Sequence, residues 1–270
     1  MDRSASTTCA MPDTPAEWRR HDDAPLSSLR RGTGPRMVFV HGFTQTGRSW
    51  IPVAEQFTND HEVVLVDAPA HGDSRHIGAS LSEGADLLAA TCAAATYVGY
   101  SMGARLCLHL ALAHPHLVRS LVLIGGTGGI TNDTERAQRM RADETLADQI
   151  LADGVDQFLE RWLSLPLFAT LPASAHGIDD RRSNTALGLA SSLRHAGSGT
   201  QVPLWNELHR ISAPTLVIAG ELDAKFSDLG HQLVSAIGTN ATFVGIPGTG
   251  HAAHLEDPEA VTAALRTLPA

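Results

Sequence analysis

Six short runs rich in β-branched and other apolar residues, at 37–40, 63–66, 95–98, 120–124, 215–219 and 241–245, alternate with longer segments of helical pattern. Strands this uniformly apolar must be covered on both faces, which a parallel sheet with crossover helices achieves. The segments 50–58, 81–93 and 102–113 have the length and pattern of such helices. The reading is a doubly wound α/β architecture, opened by an antiparallel hairpin near 26–31. Pro115 closes the third of these helices, and the glycine cluster at 125–129 ends the strand before it. A chain of 270 residues suits one large α/β domain with an insertion.

The regular alternation stops between about 130 and 206, where 134–152 and 155–163 read as charged helices. An insertion leaving the carboxyl end of a strand lies over the crevice where open sheets bind ligands. The expected division is a core at 31–127 and 207–270, a helical cap at 128–206, and an N-terminal extension at 1–30 that leads into the first hairpin. The polar tail up to about Ala24 lacks apolar periodicity and is expected to be flexible. A net charge of -9 argues against nucleic acid and anionic membrane surfaces as partners. No apolar stretch nears the ~20 residues that span a bilayer, and 1–31 lacks a secretory h-region, so a cytoplasmic protein is expected. Cys9, Cys92 and Cys107 read as reduced thiols, the latter two packed in helices. The sequence carries no signal for oligomeric state.

Gly99-Tyr100-Ser101-Met102-Gly103 lies between an apolar run and a helical stretch, the setting of a nucleophile elbow. A serine at such a turn needs small neighbours, because a Cβ on either flank would strike the adjacent strand or helix. It also needs a base to take its proton and an acid to orient that base. Asp223, in a loop after the strand at 215–219, and His251, in a glycine-rich loop after 241–245, complete the order Ser, acid, His. Glu221 and Asp133 are rival acids, and His254 is the rival base. Developing negative charge on a substrate oxygen calls for fixed donors. The backbone amides of Met102 and of Phe43, in His41-Gly42-Phe43, are the candidates. Neither His71-Gly72-Asp73 nor His114-Pro115-His116 offers the ligand set of a catalytic zinc, and no phosphate-binding loop is present.

Taken together, these features make the chain resemble an α/β-hydrolase-fold protein. Beyond Arg31 it is similar to the 2-succinyl-6-hydroxy-2,4-cyclohexadiene-1-carboxylate synthases of menaquinone biosynthesis. The matching stretches are HGFTQTGRSW from His41, GYSMGARL from Gly99, RADETLAD from Arg141, PLFATL from Pro166, GELDAKF from Gly220 and GHAAHLEDP from Gly250. Ala104 stands where many relatives carry a further glycine. The resemblance implies a lyase that eliminates pyruvate from a polycarboxylated enolpyruvyl cyclohexene, with Ser101, His251 and Asp223 acting as a base and no cofactor or metal required. It also implies a small polyanionic substrate bound by Tyr100, Arg105, Arg139, Trp162 and Arg182. Independently, Arg105 follows Ser101 by one helical turn, and an arginine beside the nucleophile needs an internal acid or an anionic ligand. Two other readings stay open: a serine hydrolase of esters, lactones or carbon-carbon bonds working through an acyl-enzyme, and a non-catalytic ligand-binding protein of the same fold.

Overall fold

The structure is a computed structural model that describes residues 17–268. Eight strands form one sheet: β1 (Arg19–His21), β2 (Ser28–Arg31), β3 (Arg36–Val40), β4 (Glu62–Val66), β5 (Ala95–Tyr100), β6 (Val118–Ile124), β7 (Thr215–Gly220) and β8 (Ala241–Ile246). Their order is β1-β2-β4-β3-β5-β6-β7-β8. β1, β2 and β4 pair antiparallel, and every later pairing is parallel.

Strand side chains alternate between two apolar layers. Val38, Val40, Val64, Val66, Leu121, Leu123 and Val217 face α2 (Leu81–Cys92), α3 (Met102–Ala113) and α7 (Ala224–Ile237), which cover one side. Met37, Phe39, Val63, Leu65, Val122, Ile124 and Ile218 join Trp50 and Phe57 on the other. There the short α1 (Ile51–Ala54) packs against α9 (Pro258–Leu265), preceded by α8 (Ala253–Glu256). Between β6 and β7 the chain forms α4 (Asp133–Leu163), α5 (Ile178–Arg181) and α6 (Ala186–Ala196). Gly154, at φ 79°, breaks α4 into two helical segments, as the two separate periodic stretches anticipate. Ala147, Ile150, Phe158, Leu159, Leu189 and Leu193 give α4 and α6 a small core of their own.

One expectation changes at the N-terminus. The expected flexible tail runs to about Ala24, yet β1 lies inside it, with Arg19 opposite Arg30 and His21 opposite Ser28. A three-residue edge strand is too short to show periodicity, and its order comes from backbone pairing. Residues 1–16, with Cys9, lie outside the described residues.

The strand order also locates the crevice. From β3 the chain moves outward to β4, then crosses back to β5 on the other flank of β3. The loops after β3 and β5 therefore diverge, and a cleft opens between the carboxyl ends of these paired strands.

Candidate active site

Ser101 follows β5 directly and holds φ 51°, ψ -105°, a conformation rarely open to a residue with a side chain. Its amide donates to Ile124 O at 2.8 Å, continuing the β5–β6 ladder, and its carbonyl accepts from Arg105 N at 3.2 Å, beginning α3. The flanking glycines are required by contact. A Cβ on Gly99 would stand 2.4 Å from Gly103 O, and one on Gly103 would stand 2.1 Å from Val40 O. Ala104, buried in the next position, is accommodated because Gly126 opposite has no Cβ; adding one would bring it within 2.9 Å of the Ala104 methyl.

His251 Nε2 lies 3.2 Å from Ser101 Oγ, and His251 Nδ1 lies 2.8 Å from Asp223 Oδ2. The second carboxylate oxygen of Asp223 accepts from Phe226 N at 3.2 Å, so the acid also caps α7. This geometry fixes the imidazole with Nδ1–H toward the carboxylate and a lone pair toward the serine. The rivals stand elsewhere. Glu221 is exposed, Asp133 pairs with Arg136, and His254 is sealed between the rings of Trp50 and Tyr100. Burial pushes the His254 imidazole well below its usual range, and neither of its nitrogens has a hydrogen-bond partner among the described residues.

Met102 opens α3, so its amide has no acceptor within the helix. Neither it nor the Phe43 amide is taken up by another protein group among the described residues. Both residues line the cavity that contains Ser101 and His251. The loop carrying Phe43 is firmly held. His41 Nδ1 donates to Gly42 O and its Nε2 accepts from Ala68 N; His71 Nδ1 donates to Pro69 O and its Nε2 accepts from Thr44 N. Desolvation lowers His41 to about 4 and His71 to about 3, so both are neutral with a fixed tautomer.

The cavity measures about 580 Å³ and lies between the sheet end and the cap. Tyr100, Arg105, Arg139 and Trp162 line it. Arg105 is only 8% exposed and Nη1 donates to Ala196 O and Gly197 O, at the end of α6, at 2.9 and 3.3 Å. No carboxylate lies within ion-pair distance of it among the described residues. Burial and the neighbouring Arg139 pull its guanidinium down to about 10. Arg139 is anchored by Nε to the buried Asp143 at 2.8 Å.

Arg182 does not reach the cavity. It is exposed and bonds Asp156 through Nε at 2.7 Å, with Asp179 at 3.7 Å. Its neighbour Arg181 lines the cavity instead, 2% exposed, donating from Nε to His176 O and from Nη1 to Thr44 Oγ1. It too has no carboxylate at ion-pair distance among the described residues, and burial lowers its pKa. Sequence reasoning passed over Arg181. A usable signal was present: Asp179 stands three before Arg182, in position to neutralise it on the surface, whereas Ile178 stands three before Arg181. Lys225 also lines the cavity, and Glu135 is its one carboxylate among the described residues.

The model for the alpha/beta hydrolase fold matches residues 35–258. A 2-succinyl-6-hydroxy-2,4-cyclohexadiene-1-carboxylate synthase of Enterobacter sp. (strain 638) is 30% identical over 239 residues, covering 86% of this chain and 90% of that protein. Among solved structures, MenH from S. aureus superposes with a TM-score of 0.77 at 28% identity, over 86% of this chain and 92% of that one. A thermophilic esterase from Thermogutta terrifontis reaches 0.76 at 22% identity, over 90% and 92%, which speaks for the fold alone. By the family match and the identity to the synthases, the chain belongs to the alpha/beta hydrolase fold family and, within it, to the group of the 2-succinyl-6-hydroxy-2,4-cyclohexadiene-1-carboxylate synthases.

Proposed function

We propose that this protein is a lyase of menaquinone biosynthesis, eliminating pyruvate from an enolpyruvyl cyclohexene that bears several carboxylates and leaving 2-succinyl-6-hydroxy-2,4-cyclohexadiene-1-carboxylate. The observation that carries the reading is a pair of buried guanidinium groups, Arg105 and Arg181, that share a cavity with Ser101 and have no carboxylate at ion-pair distance among the described residues. A buried unpaired cation is expensive, and a carboxylated ligand resolves the expense with bidentate hydrogen bonds. Arg139 adds a third cation, held in place by Asp143.

The product name defines the bond changes. A 2,4-diene with the succinyl group at carbon 2 arises when the proton at that carbon, acidified by the adjacent ketone, is lost. The ring double bond shifts, and the enolpyruvyl oxygen departs from the far end. In this reading Ser101 Oγ takes the ring proton while His251 Nε2 accepts the hydroxyl proton, and Asp223 steadies the resulting imidazolium. The Phe43 and Met102 amides face the ketone oxygen as it gains charge. Tyr100 and Trp162 shape the apolar wall. The His251 imidazolium returns its proton to the departing enolpyruvyl oxygen, the ring proton stays on Ser101 Oγ, and the released enolpyruvate ketonises to pyruvate. No water is consumed, and no cofactor enters the balance. The setting is cytoplasmic; among the described residues no helix is long and apolar enough to cross a membrane.

The test is incubation of the purified protein with the enolpyruvyl cyclohexene in oxygen-18 water. The expected result is pyruvate and diene in equal amounts, with no solvent oxygen in the ring product. Hydrolysis of simple esters through a mass-detectable acyl-Ser101, without pyruvate release, would overturn the reading.

A further inference from the structure

Thr44 adopts φ 70°, unusual for a β-branched residue, immediately after Phe43. The groups that hold it there come largely from the cap, about 140 residues away in sequence. Asn184, buried between α5 and α6, donates from Nδ2 to Thr44 O at 2.8 Å and to Arg181 O at 3.1 Å, while Oδ1 accepts from Gly72 N at 2.8 Å. Two carbonyls on one side and an N–H on the other fix which way the amide points. Arg181 Nη1 reaches Thr44 Oγ1, and Asp180 accepts from both the amide and the hydroxyl of Thr46. Asn184 does not line the cavity.

We propose that Asn184 is a positioning residue: by clasping Thr44 to the cap it aims the Phe43 amide at the developing oxyanion, so that the donor site is completed by the cap rather than by the sheet alone. Asn184 touches no substrate and acts through Thr44. Arg181 bonds the same threonine while lining the cavity, so an anion drawn to Arg181 braces the loop that carries the donor. The inference rests on the proposed role of Phe43, and it applies to any reaction at Ser101 that builds negative charge on oxygen.

Two variants and two readouts test it. A fluorophosphonate reports the rate of Ser101 phosphonylation, whose adduct places an oxygen in the same donor site, without reliance on the natural substrate; pyruvate release supplies kcat and KM. Asn184→Ala is expected to slow labelling and lower kcat by about 10- to 100-fold with KM within threefold, less than the ~10²- to 10³-fold of losing a donor outright. Asn184→Asp is isosteric. Ionised, its carboxylate faces the Thr44 and Arg181 carbonyls; protonated, it donates to Thr44 O as the amide does. Its deficit relative to the wild type is therefore expected to shrink from pH 8 to pH 6, while that of Asn184→Ala stays constant. Both variants labelling within threefold of the wild type, or an Asn184→Asp deficit that ignores pH, would overturn the proposal. If Asn184→Ala fails to fold, Asn184→Asp decides alone. A wild type that labels normally but releases no pyruvate refutes the lyase reading and leaves this inference to the labelling data.

Discussion

Replacing Arg105 by methionine separates a group kept for binding from one kept for stability. The fall of its pKa from 12.5 to about 10 corresponds to about 3 kcal/mol by which burial and the neighbouring Arg139, partly offset by Asp143, disfavour the charged side chain. Against this stand the two hydrogen bonds from Nη1 to Ala196 O and Gly197 O at the end of α6, worth roughly 1.5 kcal/mol each for a charged donor. The terms nearly cancel, and methionine fills much of the volume. The folded protein should therefore unfold in urea within about 1 kcal/mol of the wild type, unlike the ~3–5 kcal/mol lost when a buried ion pair is broken. Substrate is affected differently: a carboxylate deprived of a buried charged donor loses about 3 kcal/mol, or ~150-fold in kcat/KM. Pyruvate release, coupled to a lactate dehydrogenase, and urea melts on the same preparation measure both. Arg105→Lys should recover little, because an ammonium lacks the planar fork. The reasoning fails if Arg105→Met keeps kcat/KM within threefold, or if it loses several kcal/mol of stability, which would make the arginine a structural clamp on the end of α6.

Other expectations are equally specific. Arg181→Met should lower kcat/KM by ~100-fold or more, whereas Arg182→Ala, which removes only the exposed ion pairs to Asp156 and Asp179, should change it less than twofold in the same assay. Gly103→Ala drives a methyl into Val40 O and should destabilise the fold by at least about 2 kcal/mol in urea melts; wild-type stability there would refute the contact argument. His41 and His71 remain neutral when folded to about 4 and about 3, but in the unfolded chain they take up protons below about 6.5. Unfolding therefore binds protons as pH falls through that interval, and each histidine should remove about 2 kcal/mol of stability between pH 7 and pH 5. Urea midpoints at the two values check the sign, and a protein as stable at pH 5 as at pH 7 would contradict it.

The sheet, its crossover helices and the elbow were legible because their signals are local: apolar runs of strand length, a proline stop, and glycines placed where backbones nearly touch. The same holds for the meeting of Ser101, Asp223 and His251, which sit after strand ends in that order. The break at Gly154 was also visible, as a gap between two periodic stretches. What could not be read was which polar residues of the cap turn inward. Arg181 and Arg182 are chemically identical neighbours; Asp179, three before Arg182, points to the surface for that one, but it is the direction in which the single turn of α5 docks that carries Arg181 into the cavity. Asn184 carries no motif of its own; its meaning comes from Thr44 and Gly72, distant in sequence and close in space. β1 escaped notice because an edge strand of three residues is organised by its partner.

The apolar cluster between α4 and α6 makes the segment between β6 and β7 a layer with a core mostly its own, touched from the sheet side by Phe43. Its inner surface can drift in sequence, and with it the shape of molecule admitted, while the hinge-like serine turn beneath stays intact. That freedom ends at the α5–α6 junction, where the lid grips the machinery below. A cap without Asn184 and Arg181 would leave Thr44 unclasped, a well-formed pocket over a slack catalytic floor.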